Sequence, residues 1–232
     1  MATLFHTWVY QPILSLLIFF YERLAWHDLG IAIILLTIAL RIVLFPIFYK
    51  GAHHQSLMTA LQPKIKKIQT DHKDNKETQA KALMALYKEH KLNPLSGLFL
   101  ILLQLPIFIA LFQVFSKELT NEIFQNHIFL GFINLTEANI ALAICAAALQ
   151  YVQGKLSLPR GTQEEPSQNP LAQASKMMVY FAPGLTLIVL LNLPAALGIY
   201  WAVSTPFSIG QQMYINKKLE QKMSLSPLPP SK

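Results

Sequence analysis

The stretch "GIAIILLTIALRIVLFPIFY", residues 30–49, decides the fold class. Its only formally charged residue is Arg41. About 20 predominantly apolar residues in a helix are what a hydrocarbon core of about 30 Å requires. The stretch therefore reads as a membrane-spanning helix with a cation inside it. A lone Arg near the middle of a span costs roughly 2.5–3.5 kcal/mol on insertion scales. It is expected to face protein or water rather than lipid, and any function of the chain has to accommodate it.

The rest of the chain extends this reading. Of 232 residues, 53% are hydrophobic and 13% charged, and the mean hydropathy is +0.37. A soluble domain carries about 25% charged residues. The charges here cluster and leave long uncharged tracts, which predicts an all-α polytopic membrane protein. Five spans are expected, over residues 29–49, 94–116, 138–154, 177–192 and 193–216, and the last four contain no charge at all.

Connecting segments set the orientation. Residues 50–91 hold nine Lys against four acids, the 155–176 loop is +1 and the tail 217–232 is +3, whereas residues 1–28 and 116–137 are −1 and −2. Because Lys and Arg are retained on the cytoplasmic side, the N-terminus is expected outside and the C-terminus inside. Residues 117–137 then form an outer loop. Residues 1–28 carry a polar stripe (Thr3, Thr7, Gln11, Ser15, Glu22) on an apolar helix. That pattern suits an amphipathic segment lying in the outer interface; a further span, with the N-terminus inside, is the alternative. The start "MATLFHTWVY" lacks the features of a signal or transit peptide, favouring a bacterial plasma membrane.

Residues 50–93 are the one sizeable cytoplasmic element. Leu57, Leu61, Ile65 and Ile68 mark one helical face, Leu83, Leu86 and Tyr87 another, with the polar "TDHKDNKET" between them. A basic helical hairpin is expected, within reach of anionic headgroups or an acidic partner. The 155–176 loop, rich in Pro, Gln and Ser, and the end "SLSPLPPSK" read as loop and tail.

Conventional catalytic signatures are missing from the sequence. It has no Gly-rich phosphate loop, no HExxH pattern and no acid pair within the spans, so neither a cofactor nor enzymatic chemistry is expected. The adjacent His53 and His54 point different ways on a helix and make a poor metal site. The Lys clusters at 64–67 and 217–218 suit membrane-surface anchoring rather than sequence-specific nucleic-acid binding. Cys145, alone in an apolar run, forms no intrachain disulfide and reads as a small buried hydrophobe.

What remains is a polar lining. Thr37 and Arg41 are i, i+4 neighbours on one face. Gln104 falls near mid-depth of the second span, Gln150 and Gln153 near the inner end of the third, and Trp201, Ser204, Ser208 and Gln211 or Gln212 form a stripe on the fifth. Each Ser, Thr or Gln alone is accounted for equally well by a hydrogen bond to a neighbouring helix. Arg41 is different, because no other span offers a carboxylate. A wet cavity is its cheapest setting, and a contact pair with an external carboxylate is worth on the order of 4 kcal/mol at an effective dielectric near 20.

Four blocks carry a family resemblance: "GIAIILLTIALRIVLFPI" with Thr37, Arg41 and Pro46; "LQPKIKKIQ" followed by "MALYKEHKLNPLSG"; "LLQLPIFIALFQVF"; and "NLPAALGIYWAVSTPFSIGQQMYINKKL". In order and with matching spacing, they resemble the YidC family of membrane-protein insertases, relatives of the mitochondrial Oxa and chloroplast Alb proteins. The resemblance implies a five-span bundle around a hydrophilic groove, open to cytoplasm and lipid and closed outside. It also implies insertion and folding of nascent membrane proteins, alone or beside a Sec translocon, with ribosome or targeting factor received at the hairpin. By the same matching Arg41 and Thr37 become groove residues, and Gln104, Gln153 and Trp201 groove-side positions; Ser204 joins them from its place on the stripe of the fifth span. Phe108, Met178 and Leu191 are assigned to the apolar surface along which a substrate helix slides. The sequence departs from the family pattern at Ser96, Leu98–Leu100, Ala196 and Thr205, and the large outer domain is not in this sequence. Two readings from other classes stay open on the residues alone: a small secondary transporter or channel, and a membrane assembly scaffold.

Overall fold

A computed structural model of the chain describes residues 2–93, 96–119, 123–124, 126–158 and 170–225. Residues 159–169 of the expected 155–176 loop, the end beyond Leu225, and Pro94–Leu95 of the hairpin exit lie outside the described residues. Among the described residues the chain is all-α apart from one short β-hairpin.

A short helix α1 (Ala2–Phe5), a π-helical turn (His6–Tyr10) and α2 (Gln11–Arg23) form a nearly continuous N-terminal helix. Trp26 and His27, both at positive φ (46° and 61°), reverse the chain. Asp28 then caps α3 (Leu29–Ala60), its Oδ1 accepting the Ile31 N–H at 3.0 Å, as an N-cap carboxylate does.

Helix α3 does not stop at Tyr49 but continues through "KGAHHQSLMTA" to Ala60. This part of the chain contains no proline, and polar helix formers in water do not end a helix. Termination comes from Pro63, whose ring would clash with the carbonyl four residues back. At 1.5 Å per residue, the 32 residues of α3 reach about 48 Å, so its last turns project beyond a hydrocarbon core.

Helices α4 (Gln62–Asp71) and α5 (Lys76–Glu89) follow, the second capped by the Asn75 side chain accepting the Glu77 and Thr78 N–H groups. Leu61, Ile65, Leu86 and Leu92 are buried together, with Leu57, Ile68, Leu83 and Tyr87 packed against them. The two apolar faces legible in the sequence thus meet in a small separate core.

Next come α6 (Ser96–Lys117), the strands β1 (Ile128–Phe129) and β2 (Ile133–Asn134), and the helices α7 (Ile140–Ser157), α8 (Pro170–Leu190) and α9 (Ala195–Leu225). The β-hairpin pairs Ile128 with Asn134 and Phe129 with Ile133, across a turn with positive φ at Leu130 and Gly131 (52° and 83°). The Phe129–Ile133 pairing leaves Leu130–Phe132 as a three-residue loop, closed by the Phe132 N–H donating to the Phe129 carbonyl at 3.2 Å. Among the described residues, three helices are long and apolar enough to cross a membrane: Thr3–Arg23, Leu29–Ala60 and Ile140–Ser157. Leu102–Lys117 and Met177–Leu190 are shorter apolar helices.

The main core occupies one end of the bundle. It contains Leu29, Ala32, Ile33 and Leu36 of α3, Ala110, Leu111, Val114 and Phe115 of α6, Ala143 and Ala146 of α7, and Ala195–Leu197 of α9. Helix α2 and the described residues that follow α6 close this Asp28 end, burying Leu17, Tyr21, Leu119, Phe124 and Leu135. The Ala195 and Ala196 N–H groups, orphaned at a helix start, donate to the carbonyls of Glu137 (2.7 Å) and Leu135 (3.2 Å).

The N-terminal helix makes two informative contacts at the Asp28 end. Tyr10 donates its hydroxyl to Glu118 at 2.5 Å, just past the end of α6, and Tyr21 packs edge-on against Phe124. These residues lie about 16 Å apart along a helix, so the helix runs across that end rather than down the bundle. One expectation reverses: Cys145 is exposed on α7, not buried. In a membrane an apolar residue gains nothing by turning away from lipid, so an apolar run does not reveal which face is inward.

Candidate functional site: a polar cavity beneath the packed end

Toward the Lys50 end the helices separate around a cavity of about 490 Å³. Four helices line it, each with residues at helical spacing. Helix α3 supplies Arg41, Phe48, Ala52 and Gln55; α6 supplies Gln104, Leu105 and Phe108; α7 supplies Gln150, Gln153 and Ser157. Helix α9 supplies an unbroken stripe of Tyr200, Trp201, Ser204, Thr205, Ser208, Gln211 and Gln212, one face of a 3.6-residue period.

Arg41 marks the top of this space. It lies twelve residues into α3, about 18 Å along the helix from Leu29, directly below Leu36 and Thr37, the last residues that α3 buries in the packed end. Its guanidinium sits over the Phe48 ring, 5.1 Å from the centroid, a cation–π contact one face of α3 provides. Arg41 makes no ion pair among the described residues. A half-buried guanidinium is thus offered to the cavity with its five donors.

The polar groups around it are held by neighbours. Gln104 Nε2 donates to Tyr200 Oη, joining α6 to α9. Thr186 Oγ1 donates to Gln150 Oε1, joining α8 to α7. Nearer the Lys50 end, Gln212 Nε2 donates to Ser56 Oγ (2.6 Å) and Asn216 Oδ1 (3.0 Å), and Ser56 Oγ donates to Asn216 Oδ1 (3.0 Å). Phe108 and Trp201 meet edge to face at 5.3 Å and form the apolar wall. The cavity therefore offers one cation, several amides and hydroxyls, no carboxylate among its lining residues, and an aromatic side.

The 60Kd inner membrane protein family model matches residues 19–222, nearly the whole of this chain and all four lining helices. The chain belongs to that family. Membrane protein insertase YidC from Magnetococcus marinus is 33% identical over 216 residues, 92% of this chain and 36% of that protein. The insertase YidC of an Anaeromyxobacter species is 36% identical over 200 residues, 85% of this chain and 34% of the relative. A crystal structure of an active YidC insertase with its first transmembrane domain resolved superposes with a TM-score of 0.60 at 26% identity, covering 88% of this chain and 46% of that one. This chain spans about a third of the length of the curated relatives it matches. Together with its apolar helices, this makes the chain a multi-pass bacterial inner membrane protein of the 60Kd family.

Within this 60Kd-family core, the cavity brings together Arg41, Gln104, Gln153, Trp201 and Ser204 from residues far apart in sequence. Thr37 stands apart. It is 1% exposed, donates its hydroxyl to the Ile33 carbonyl at 2.7 Å, and belongs to the packed layer above the cavity. Of the residues assigned to an apolar sliding surface, Phe108 lines the cavity, whereas Met178 and Leu191 are exposed on the bundle exterior. Tyr200 was not singled out by sequence, although it lies one turn before Ser204 on the same stripe. A Tyr beside a Trp in a span reads as an interfacial aromatic until its hydroxyl is seen to meet Gln104.

Proposed function

We propose that this chain is the core of a membrane-protein insertase. In this reading the sealed Asp28 end faces outward, the Lys50 end and both hairpin helices face the cytoplasm, and the N-terminal helix lies on the outer membrane surface. The carrying observation is the Arg41 guanidinium, held about 18 Å below the start of its helix in a polar cavity, without a carboxylate partner among the described residues. The names of the relatives support the same assignment.

The mechanism follows from those groups. An acidic segment of a nascent membrane protein enters the cavity, where Arg41 stabilises its carboxylate by on the order of 4 kcal/mol at most in a medium of effective dielectric 20. Gln104, Gln150 and Gln153 supply amide hydrogen bonds that replace part of its hydration. The polar cavity reaches to Gln55, about 21 Å along α3 from Arg41, so the tail has only the packed layer above Arg41 to cross. The apolar part of the substrate leaves past Phe108, Trp201 and the exposed faces of α6 and α8 into lipid. No covalent step is involved. Substrate hydrophobicity drives the process, and a membrane potential adds about 2.3 kcal/mol per charge per 100 mV. The hairpin receives substrate, ribosome or targeting factor, and a Sec translocon can stand beside the open side.

Reconstitution tests the proposal. Purified chain in sealed liposomes, given a single-span substrate with an acidic outer tail, should protect that tail from added protease above the level of empty liposomes. Protection equal to empty liposomes, with the chain folded and correctly oriented, would overturn it.

A further inference from the structure

A second, smaller cleft lies at the Lys50 end, outside the Arg41 cavity. It encloses about 160 Å³ between α3 and α9 and is lined by Tyr49, Lys50, His53, His54, Lys218 and Leu219. Two lysines and two histidines face one small space, and no carboxylate lines it. Neither Lys50 nor Lys218 has an ion-pair partner among the described residues. The His54 Nδ1 atom is buried without a hydrogen-bond partner among those residues, a state that calls for a polar occupant.

The walls are aromatic. Tyr49 stacks on His53 with ring centroids 6.2 Å apart and meets Tyr214 at 6.4 Å. Lys218 Nζ lies over the Tyr214 ring, 6.0 Å from its centroid. Tyr214 thus carries the Lys218 ammonium on α9, and Lys50 lines the same opening from α3.

Depth identifies the ligand. From Leu29 to Lys50 the helix rises about 31 Å, close to the roughly 30 Å of a hydrocarbon core. With Leu29 at one boundary, Lys50 stands at the headgroup level of the other, among tyrosines of the kind that mark that level. The geometry points to this cleft as a binding site for a phosphate oxyanion, carried by the headgroup of an anionic phospholipid. The site is independent of Arg41 and of any insertion activity. It pins the junction where α3 and α9 leave the membrane.

Native mass spectrometry of the delipidated full chain in neutral detergent tests it, with phosphatidylglycerol, phosphatidylcholine of the same acyl chains, and inorganic phosphate as probes. The wild type should retain one equivalent of phosphatidylglycerol in preference to phosphatidylcholine. Lys50→Gln/Lys218→Gln should weaken that binding by about 30-fold, the effect of removing two headgroup-level cations. Lys50→Arg/Lys218→Arg should restore it. The control Lys67→Gln/Lys73→Gln, which removes equal charge from the hairpin, should bind like wild type. Millimolar inorganic phosphate that binds as well as the lipid supports the oxyanion site but overturns the lipid as its source. Equal retention of the two lipids by wild type, or equal loss in the hairpin control, overturns the site itself.

Discussion

Replacing Gly30 with Ala sets a local preference against packing, and the geometry indicates which wins. Gly30 is in the first turn of α3 with ordinary helical backbone, where Ala is favoured over Gly by up to about 1 kcal/mol. A Cβ there would lie 2.1 Å from Phe129 Cδ2, 2.3 Å from Cγ and 2.8 Å from Cβ. Overlap with the Phe129 Cβ means that a ring flip cannot relieve it, so the β-hairpin itself must shift. Overpacking of this kind costs about 1–3 kcal/mol, more than the helical gain. Gly30→Ala should therefore lower the melting temperature in detergent by about 2–8 °C, at about 2–4 °C per kcal/mol for a chain of this size. Phe129→Gly alone also destabilises, but it removes both the ring and the Cβ that lies 2.8 Å from the added methyl, so in that background Gly30→Ala should change sign and become stabilising. A double-mutant cycle followed by thermal unfolding reads this directly. Additive losses, or a Gly30→Ala protein as stable as wild type, would refute the claim that the β-hairpin packs on α3 through the space Gly30 leaves open.

Three further outcomes follow from the same structure. Ile65→Ala, in the small hairpin core, should cost about 2–5 kcal/mol locally, so limited proteolysis should cut α4–α5 faster while the melting of the main bundle barely moves. Burial raises the Tyr87 hydroxyl above its ordinary value of 10.0. The folded hairpin then holds a proton that the unfolded one gives up first, and its stability should fall as pH rises above 10, a dependence that hydrogen exchange of α5 should lose in Tyr87→Phe. Gln104→Leu removes the donor to Tyr200 Oη and should destabilise the bundle by about 1–3 kcal/mol, read as a lower denaturant midpoint, whereas Gln104→Glu should keep the α6–α9 link as acceptor from Tyr200.

The lining was legible because polar residues in a span are expensive and stand out. The α9 stripe from Trp201 to Gln212 follows a 3.6-residue period, and the wall it forms is the one expected from that spacing. The hairpin was legible for a related reason: in water, paired apolar faces need a partner, and Leu61, Ile65 and Leu86 find one. Thr37 shows the limit. A hydroxyl one turn from Arg41 can either face the cavity or bond its own helix, and spacing cannot separate the two; it bonds the Ile33 carbonyl. Tyr200, Gly30 and the β-hairpin were not singled out because their roles depend on contacts between distant segments. The length of α3 was missed because leaving the membrane changes the composition of a helix without ending it.

The central claim is that Arg41 receives acidic substrate segments, and crossing its charge with that of the substrate tail tests it most directly. Wild type, Arg41→Lys and Arg41→Ala would be reconstituted in liposomes and given substrates differing only in an acidic or neutral outer tail, scored by protease protection. The account predicts that Lys preserves insertion of the acidic tail, that Ala slows it at least about tenfold, the equivalent of about 1.4 kcal/mol, and that all three insert the neutral tail alike. Equal insertion of the acidic tail by wild type and Arg41→Ala would contradict it.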